Sequence, residues 1–119
     1  MAGIGVTYGS VRSPNAAGES AMIETFGVEA LGLVETFGLA AAVEAADAMV
    51  KTASVRVITK QQPGGGLIAI MVTGETSAVQ SAVDAGVAAA ERVGRVVSRR
   101  VIARPDADIL DLLERPPVR

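Results

Sequence analysis

The chain has 119 residues and a formal net charge of −2, and half of its residues are hydrophobic although it holds only one Tyr, two Phe and no Trp. This length suits one domain with a core of small aliphatic side chains. The absence of Cys and His excludes disulfides and thiol chemistry and removes the commonest metal ligand and general base, so we expect no cofactor and no metal. A mean hydropathy of +0.40 favours an oligomer, because a small monomer rarely buries so much apolar surface alone.

The charge pattern gives no reason to expect a nucleic-acid or membrane partner. A net charge of −2 produces no general attraction to polyanions. Five arginines gather late in the chain without aromatic residues between them to stack on bases, so a solvated surface explains them more simply; they are Arg92, Arg95, Arg99, Arg100 and Arg104. The longest apolar run, Leu67–Val72, is far shorter than the ~20 residues of a membrane span. Because no secretory signal is visible, we expect a cytoplasmic protein.

Composition divides the chain into a central domain and two flanking segments. Residues 1–22 are rich in Gly, Ser and Ala and carry few charges, which predicts a flexible N-terminal extension. Residues 23–113 form the single predicted domain. Residues 114–119 are a predicted tail, because Pro116 and Pro117 cannot continue a helix.

The first part of the domain predicts a strand followed by a helix. The strand covers Glu29–Glu35 and is broken at Gly38, after which an alanine-rich helix runs to Lys51. The larger apolar residues of the helix are spaced by four, three and four, which defines one face; they are Leu39, Val43, Ala46 and Val50. With Ala at most other positions, this spacing predicts a helix that packs tightly on a sheet.

Two strands and a second helix follow. Apolar residues separated by polar ones indicate a second strand, at Val55, Val57 and Ile58. A break over residues 61–66 precedes Leu67–Val72, a third strand that is predicted to be fully buried. The second helix begins at residues 74–76 and ends near Val93, with Gly94 as its C-terminal cap. Its apolar face holds Val79, Val83, Val87 and Ala90.

The end of the domain completes a recognisable order of elements. Val96–Ala103 is a fourth strand that Pro105 ends, and Asp106 or Asp108 caps a short helix; the apolar residues of that helix are Ile109, Leu110, Leu112 and Leu113. Two strand–helix–strand halves predict a ferredoxin-like α/β sandwich with a four-stranded antiparallel sheet and its helices on one face. This fold serves many functions and decides none by itself.

Three carboxylates are candidate catalytic groups, and the sequence favours a structural role for each of them. Glu44 and Asp47 lie three residues apart on the first helix and could pair as acid and base, but a solvated helix face explains both. Glu35 ends the first strand, where a hydrogen bond to nearby backbone is the simpler interpretation. We expect no catalytic residue.

Three other positions admit both a structural and a functional interpretation. A phosphate-binding loop is followed by a helix and usually contains a Lys, and Gly64–Gly66 has neither. It either forms a simple hairpin turn or permits a close approach of backbone to a ligand or to symmetry copies of itself. Lys51 is favoured by the helix dipole at the end of the first helix, and Arg104 suits an exposed strand end.

The sequence resembles the hexamer-forming shell proteins of bacterial microcompartments, which share the BMC domain. The similarity runs in unbroken order from Ala30 to Leu112. Its segments are ALGLVET, EAADAMVK, GGGL, VTGETSAVQSAVDAGVAAAERVG and VIARPDADI. The combination of the EAADAMVK helix end with the second helix and the later Arg-Pro is the most specific part.

The resemblance implies a role for three groups of residues. Lys51 matches the family's edge lysine, which lies along its own copy in a neighbouring hexamer. Arg104 matches the edge arginine that inserts between adjacent hexamers. Gly64, Gly65 and Gly66 match the loop around a central pore, with Gly65 at the narrowest position. The resemblance therefore implies the BMC version of the predicted fold and a homohexamer.

The same resemblance implies a non-enzymatic shell tile that assembles with neighbouring hexamers, other shell proteins and enclosed enzymes, and that passes small metabolites. The alternative is a ligand-sensing oligomeric regulator on the same fold, which would bind a small molecule between subunits without tiling.

Three positions depart from the family: Phe37 replaces a common basic residue, Ser54 replaces a frequent Asn, and Asp106 replaces a frequent His.

Overall fold

Residues 29–114, the part that this computed structural model describes, contain seven elements in the predicted order. They are β1 (Ala30–Phe37), α1 (Leu39–Thr52), β2 (Val55–Gly64), β3 (Leu67–Gly74), α2 (Thr76–Glu91), β4 (Arg95–Ala103) and α3 (Ala107–Glu114). The strands form one antiparallel sheet in the order β2-β3-β1-β4. The predicted ferredoxin-like α+β fold is confirmed. The extension over residues 1–22 lies outside the described residues.

One face of the sheet packs against α1 and α2, and this contact forms the main core. Val34, Ile70 and Val72 of the sheet cluster with Val79, Val83 and Ala90 of α2, so the predicted apolar face of α2 is correct. Successive side chains of a strand alternate between faces. Leu33, Glu35 and Phe37 of β1 therefore point to the opposite side, which we call the outer face.

The packing of α1 differs from the prediction. Its buried residues are small, apart from one methionine: Ala41, Ala42, Ala45 and Met49. The larger apolar residues of the predicted packing face are exposed instead, with relative exposures of 55% for Leu39, 55% for Val43 and 44% for Val50. The prediction about the packing face was wrong because the space between α1 and α2 admits only small side chains, so that the larger ones face away.

Strand β2 is longer than predicted. It continues to Gly64, so the predicted break over residues 61–66 shrinks to Gly65 and Gly66. The ladder with β3 is interrupted between Gln61 and Gly64, which accommodates Pro63 because proline cannot donate to a ladder. Strand β3 is not fully buried, since Leu67 and Ala69 are half-buried.

The ends of the later helices show how they stop and start. Gly94 does not adopt the left-handed conformation expected of a cap. Glycine is needed there for space, because a Cβ would lie 2.9 Å from the Cβ of Ala41. At the start of α3, Asp106 Oδ1 accepts a hydrogen bond of 2.9 Å from the backbone N–H of Asp108. Asp106 is therefore the cap, and Asp108 lies in the first turn.

Candidate functional site

The strand register places the candidate residues at opposite ends of the sheet. At one end Ala30 pairs with Gly74 and with Ala103; Lys51 lies just before β2 at this end and Arg104 follows β4, so we call it the Lys51 end. At the other end Phe37 pairs with Leu67 and with Arg95, beside the turn after Gly64; we call it the glycine end. The 8 residues of β1, at ~3.3 Å each, separate the two ends by about 25 Å.

The glycine turn has a backbone that only glycine adopts easily. Gly64, Gly65 and Gly66 have φ values of 121°, 66° and 82°. Gly65 and Gly66 join the paired residues Gly64 and Leu67, and positive φ at both positions is the requirement of a type I′ hairpin. The turn geometry therefore explains Gly65 and Gly66. All three are exposed, and nothing lies within 4 Å of a Cβ placed on Gly64 or Gly65.

The turn is fixed to the end of β1. The backbone N–H of Gly38 donates a hydrogen bond of 2.7 Å to the carbonyl oxygen of Gly66. The buried hydroxyl of Thr36 donates to the carbonyl oxygen of Gly38 at 3.2 Å. The ring of Phe37 lies against the turn, with its Cδ1 3.3 Å from a Cβ placed on Gly66. The sequence identified Phe37 only as a lost charge and missed this contact.

Lys51 lies in the last turn of α1 and remains available to a partner. Its Nζ is 2.9 Å from Asp47 Oδ2, and the relative exposures of the two side chains are 72% and 51%. The hydrogen bond and the charge of Asp47 raise the pKa of Lys51 above its ordinary value of 10.5. The lysine is therefore a permanent surface cation at neutral pH, oriented by a residue one helical turn earlier.

Arg104 has an unusual backbone at the same end. Among residues 29–114 it is the one non-glycine residue with positive φ, at 48°. Such a conformation costs on the order of 1 kcal/mol and persists only where neighbouring contacts hold it. One such contact is the hydrogen bond of 2.6 Å from its backbone N–H to the carbonyl oxygen of Glu29. Nothing in the sequence signalled this conformation.

The carboxylates considered for catalysis have structural partners. Glu35 accepts a hydrogen bond of 3.1 Å from Ser98 Oγ, so the predicted backbone partner was wrong. Asp47 binds Lys51. Between residues 29 and 114 no group of His, Cys, Asp and Glu is arranged to hold a metal ion. In the same part of the chain no helix is long and apolar enough to cross a membrane.

The late arginines do not form one patch. The register with β1 places Arg99 on the helix-covered face, where it pairs with Asp84 of α2. Arg95 and Arg100 lie on the outer face, opposite Phe37 and Leu33. The solvated-surface interpretation therefore fits better than a nucleic-acid site.

This α+β sandwich, with an exposed glycine turn at one end and two exposed cations at the other, matches a known class of protein. A family model described as the BMC domain matches residues 30–105. The chain belongs to the BMC domain family.

Named relatives agree with this assignment. The chain is 52% identical over 82 residues to the bacterial microcompartment shell protein EutM of Salmonella typhimurium, covering 69% of this chain and 85% of that protein. It is 51% identical over 87 residues to the shell protein PduA of Citrobacter freundii, covering 73% and 94%. It is 52% identical over 87 residues to the carboxysome shell protein CsoS1 of Prochlorococcus marinus, covering 72% and 84%.

A solved structure agrees as well. The crystal structure of a microcompartment protein from Desulfitobacterium hafniense DCB matches with a TM-score of 0.66 and 34% identity. The match covers 71% of this chain but only 48% of that one. Together the comparisons confirm the predicted structural role in a bacterial microcompartment shell and the prediction that the chain is no enzyme. They give no support to the alternative regulator.

Proposed function

We propose that six copies of the chain form a ring, with the glycine end at the centre and the Lys51 end at the perimeter. The observation that carries this proposal is the register, which separates the two groups of residues by the length of β1. In a ring, one end of each subunit meets its symmetry copies at the axis, and the other end meets neighbouring rings. The roles of Lys51, Arg104 and Gly64–Gly66 follow from this placement.

The apolar stripe on α1 supports a subunit contact. Leu39, Val43 and Val50 are each between 44% and 55% exposed and share one helix face. Fully burying an exposed aliphatic side chain of this size gains about 1.5–3 kcal/mol, so covering the exposed half of each would gain roughly half of that. A chain built largely on small side chains gains stability by covering this stripe with a second copy.

Lys51 and Arg104 are suited to joining rings. Both are exposed cations held by local contacts: Asp47 engages the side chain of Lys51, and the carbonyl oxygen of Glu29 accepts a hydrogen bond from the backbone N–H of Arg104. A two-fold contact between rings uses each side chain twice, so that a weak interaction is multiplied across a tiled sheet. Asp106, the acidic residue near Arg104 that departs from the family pattern, caps α3 by accepting a hydrogen bond from the backbone N–H of Asp108.

The glycine turn is suited to the rim of a pore. Its exposed residues carry no side chains, so six copies would surround the axis with backbone polar groups. Such a rim suits small polar metabolites. The hydrogen bond between Gly38 and Gly66 would hold the width of the aperture. Assembly with other shell proteins and around enclosed enzymes completes the proposed role.

Native mass spectrometry and electron microscopy test the proposal together. The full chain should give a species of six times the 12.1 kDa subunit mass that assembles into sheets. The variant Lys51→Asp should give the same rings without sheets. Sheets that persist in this variant would contradict the edge role. A dimer or trimer that never tiles, with saturable binding of a small molecule at the glycine turn, would favour the regulator instead.

A further inference from the structure

Helix α3 lies on the outer face of the sheet and covers part of it. Gln61 of β2 is in register with Glu35 through β3, so it belongs to this face. Its Nε2 donates a hydrogen bond of 3.3 Å to the carbonyl oxygen of Leu113. Leu110 is 7% exposed and packs against Ile58 of β2. One side of α3 is therefore held against the outer face near β2.

Three large apolar side chains on this side of the molecule remain exposed. Ile109 and Leu112 are 42% and 60% exposed, and their spacing of three residues places them on one flank of α3. Ile102 of β4 is 37% exposed and shares the outer face with its register partner Leu31. Exposed apolar side chains that occur together on one surface indicate a contact with another segment or molecule.

The chain enters the domain next to these residues. The carbonyl oxygen of Glu29 accepts the hydrogen bond from the backbone N–H of Arg104. Arg104 comes two residues after Ile102 and three residues before Ala107, where α3 begins. The segment that precedes Glu29 therefore leaves the domain between the end of β4 and the start of α3.

The segment over residues 22–28 has the length and the chemistry to cover this surface. Seven extended residues reach about 23 Å, whereas the 8 residues of α3 span about 12 Å. The one charged residue of the segment is Glu24, and it complements Arg100, the outer-face residue of β4 that follows Ile102 toward the glycine end. Four of the seven residues are apolar: Met22, Ile23, Phe26 and Val28.

We propose that residues 22–28 fold back over the outer face of their own subunit and cover Ile102, Ile109 and Leu112. Because the segment is joined to Glu29, it meets this surface at an effective concentration on the order of millimolar, and no partner has to diffuse to it. The consequence rests on the proposed ring. Six covered subunits present a face without exposed apolar patches, so rings join edge to edge and do not stack on that face.

Hydrogen–deuterium exchange of the full chain, followed by mass spectrometry, tests this cover. In the unmodified protein, the amides of residues 22–28 should exchange more slowly than those of an unstructured chain. The double substitution Ile23→Ser and Phe26→Ser removes two covering side chains and leaves residues 29–114 unaltered. It should speed exchange in α3 by roughly tenfold and leave exchange in α2 unchanged.

Two further double variants make the result specific. Ile4→Ser with Val6→Ser removes two apolar residues from an earlier part of the same chain and should leave exchange in α3 unchanged. Ile109→Ser with Leu112→Ser removes two covered side chains instead and should speed exchange in residues 22–28. Both of these α3 residues are exposed within the domain, so the fold should persist in this variant.

Electron microscopy measures the consequence for the sheets. Sheets of the Ile23→Ser and Phe26→Ser variant should stack in layers, because their apolar surface is uncovered. Adding Ile109→Ser and Leu112→Ser to that variant should restore single layers, because the surface that stacks is then polar.

The outcomes separate the cover from the proposed function. Fast exchange of residues 22–28 in the unmodified protein, or unchanged exchange of α3 in the Ile23→Ser and Phe26→Ser variant, would overturn the cover and leave the proposed ring standing. Unmodified sheets that stack through α3 would also overturn the cover, because a second ring would then occupy that surface. Slow exchange of residues 22–28 in a chain that forms no rings would support the cover and contradict the proposed function.

Discussion

The backbone N–H of Arg104 donates a hydrogen bond of 2.6 Å to the carbonyl oxygen of Glu29, and Arg104 holds a φ of 48°. The end of β4 is thus tied to the residue before β1. An arginine in this conformation is less stable than a residue that tolerates positive φ, so the protein carries local strain at a position proposed to join rings.

The strain at Arg104 makes stability and assembly separable. Arg104→Asn should retain or slightly raise the melting temperature, because Asn tolerates the left-handed region, yet it should prevent sheet formation. Arg104→Val should lower the free energy of unfolding by about 1–2 kcal/mol, because a β-branched residue is poorly accommodated there. Calorimetry and electron microscopy on both variants check this. Equal stabilities of the two variants would show that the backbone conformation carries no strain.

The pairing of Lys51 with Asp47 predicts the response of the sheets to pH. The folded-state pKa of Lys51 is raised above 10.5, so its charge is fully present below that pH and is lost only as the pH rises through the raised pKa. Because the charge of Lys51 does not change between about pH 6 and 9, its contribution to sheet formation should be constant over that range. Asp47→Asn should move the alkaline loss of sheets to lower pH, as light scattering would show.

A matched variant distinguishes the hydrogen bond from general charge. Glu44 makes the smallest contribution to the raised pKa of Lys51. Glu44→Gln should consequently shift the alkaline transition less than Asp47→Asn does. An equal shift in both variants would show that the Asp47 contact has no special importance.

The open space around Gly65 permits a test of the pore. Gly65→Asn and Gly65→Asp introduce side chains of nearly equal size that both tolerate the φ of 66°. Both should slow the passage of glycerol across assembled shells, because they narrow the aperture. Only Gly65→Asp should slow acetate further, since it adds a negative charge for each subunit. Identical acetate fluxes for the two variants, or fluxes equal to that of the unmodified shell, would place the aperture elsewhere.

The contact between Gly86 and Met49 predicts a non-additive effect on stability. A Cβ on Gly86 would lie 2.7 Å from Met49 Cγ and 3.2 Å from the carbonyl oxygen of Ala45. Gly86→Ala should cost about 1–3 kcal/mol through overpacking, and Met49→Ala about 2–5 kcal/mol through a cavity. The double variant should cost less than the sum, because the new methyl group occupies part of the vacated space. Denaturation at matched protein concentrations measures all three, and simple additivity would contradict the contact.

The sequence predicted the fold better than the packing. Turn residues and apolar periodicity located every element between residues 29 and 114, because these signals are local. The buried face of α1 was mispredicted because hydrophobicity alone favours burial of the larger residues. In the structure α1 and α2 approach closely, as the contact between Gly86 and Met49 shows, and the space between them fits mainly alanines. The contact of Phe37 with Gly66 depends on the register of two strands, and the φ of Arg104 on a distant carbonyl group. Such relations are visible only once the chain is folded.

The mispredicted face of α1 supplies a last test. Val43 is 55% exposed and lies on the apolar stripe, whereas Ala40 is an exposed residue on the neighbouring polar face with Glu44 and Asp47. Val43→Asp should split the ring into smaller species, because it would bury a charge in the proposed subunit contact. Ala40→Asp adds the same side chain to the same helix and should leave the ring intact. Analytical ultracentrifugation measures both. If Val43→Asp sediments as the unmodified ring does, the stripe faces solvent, and another surface must hold the subunits together.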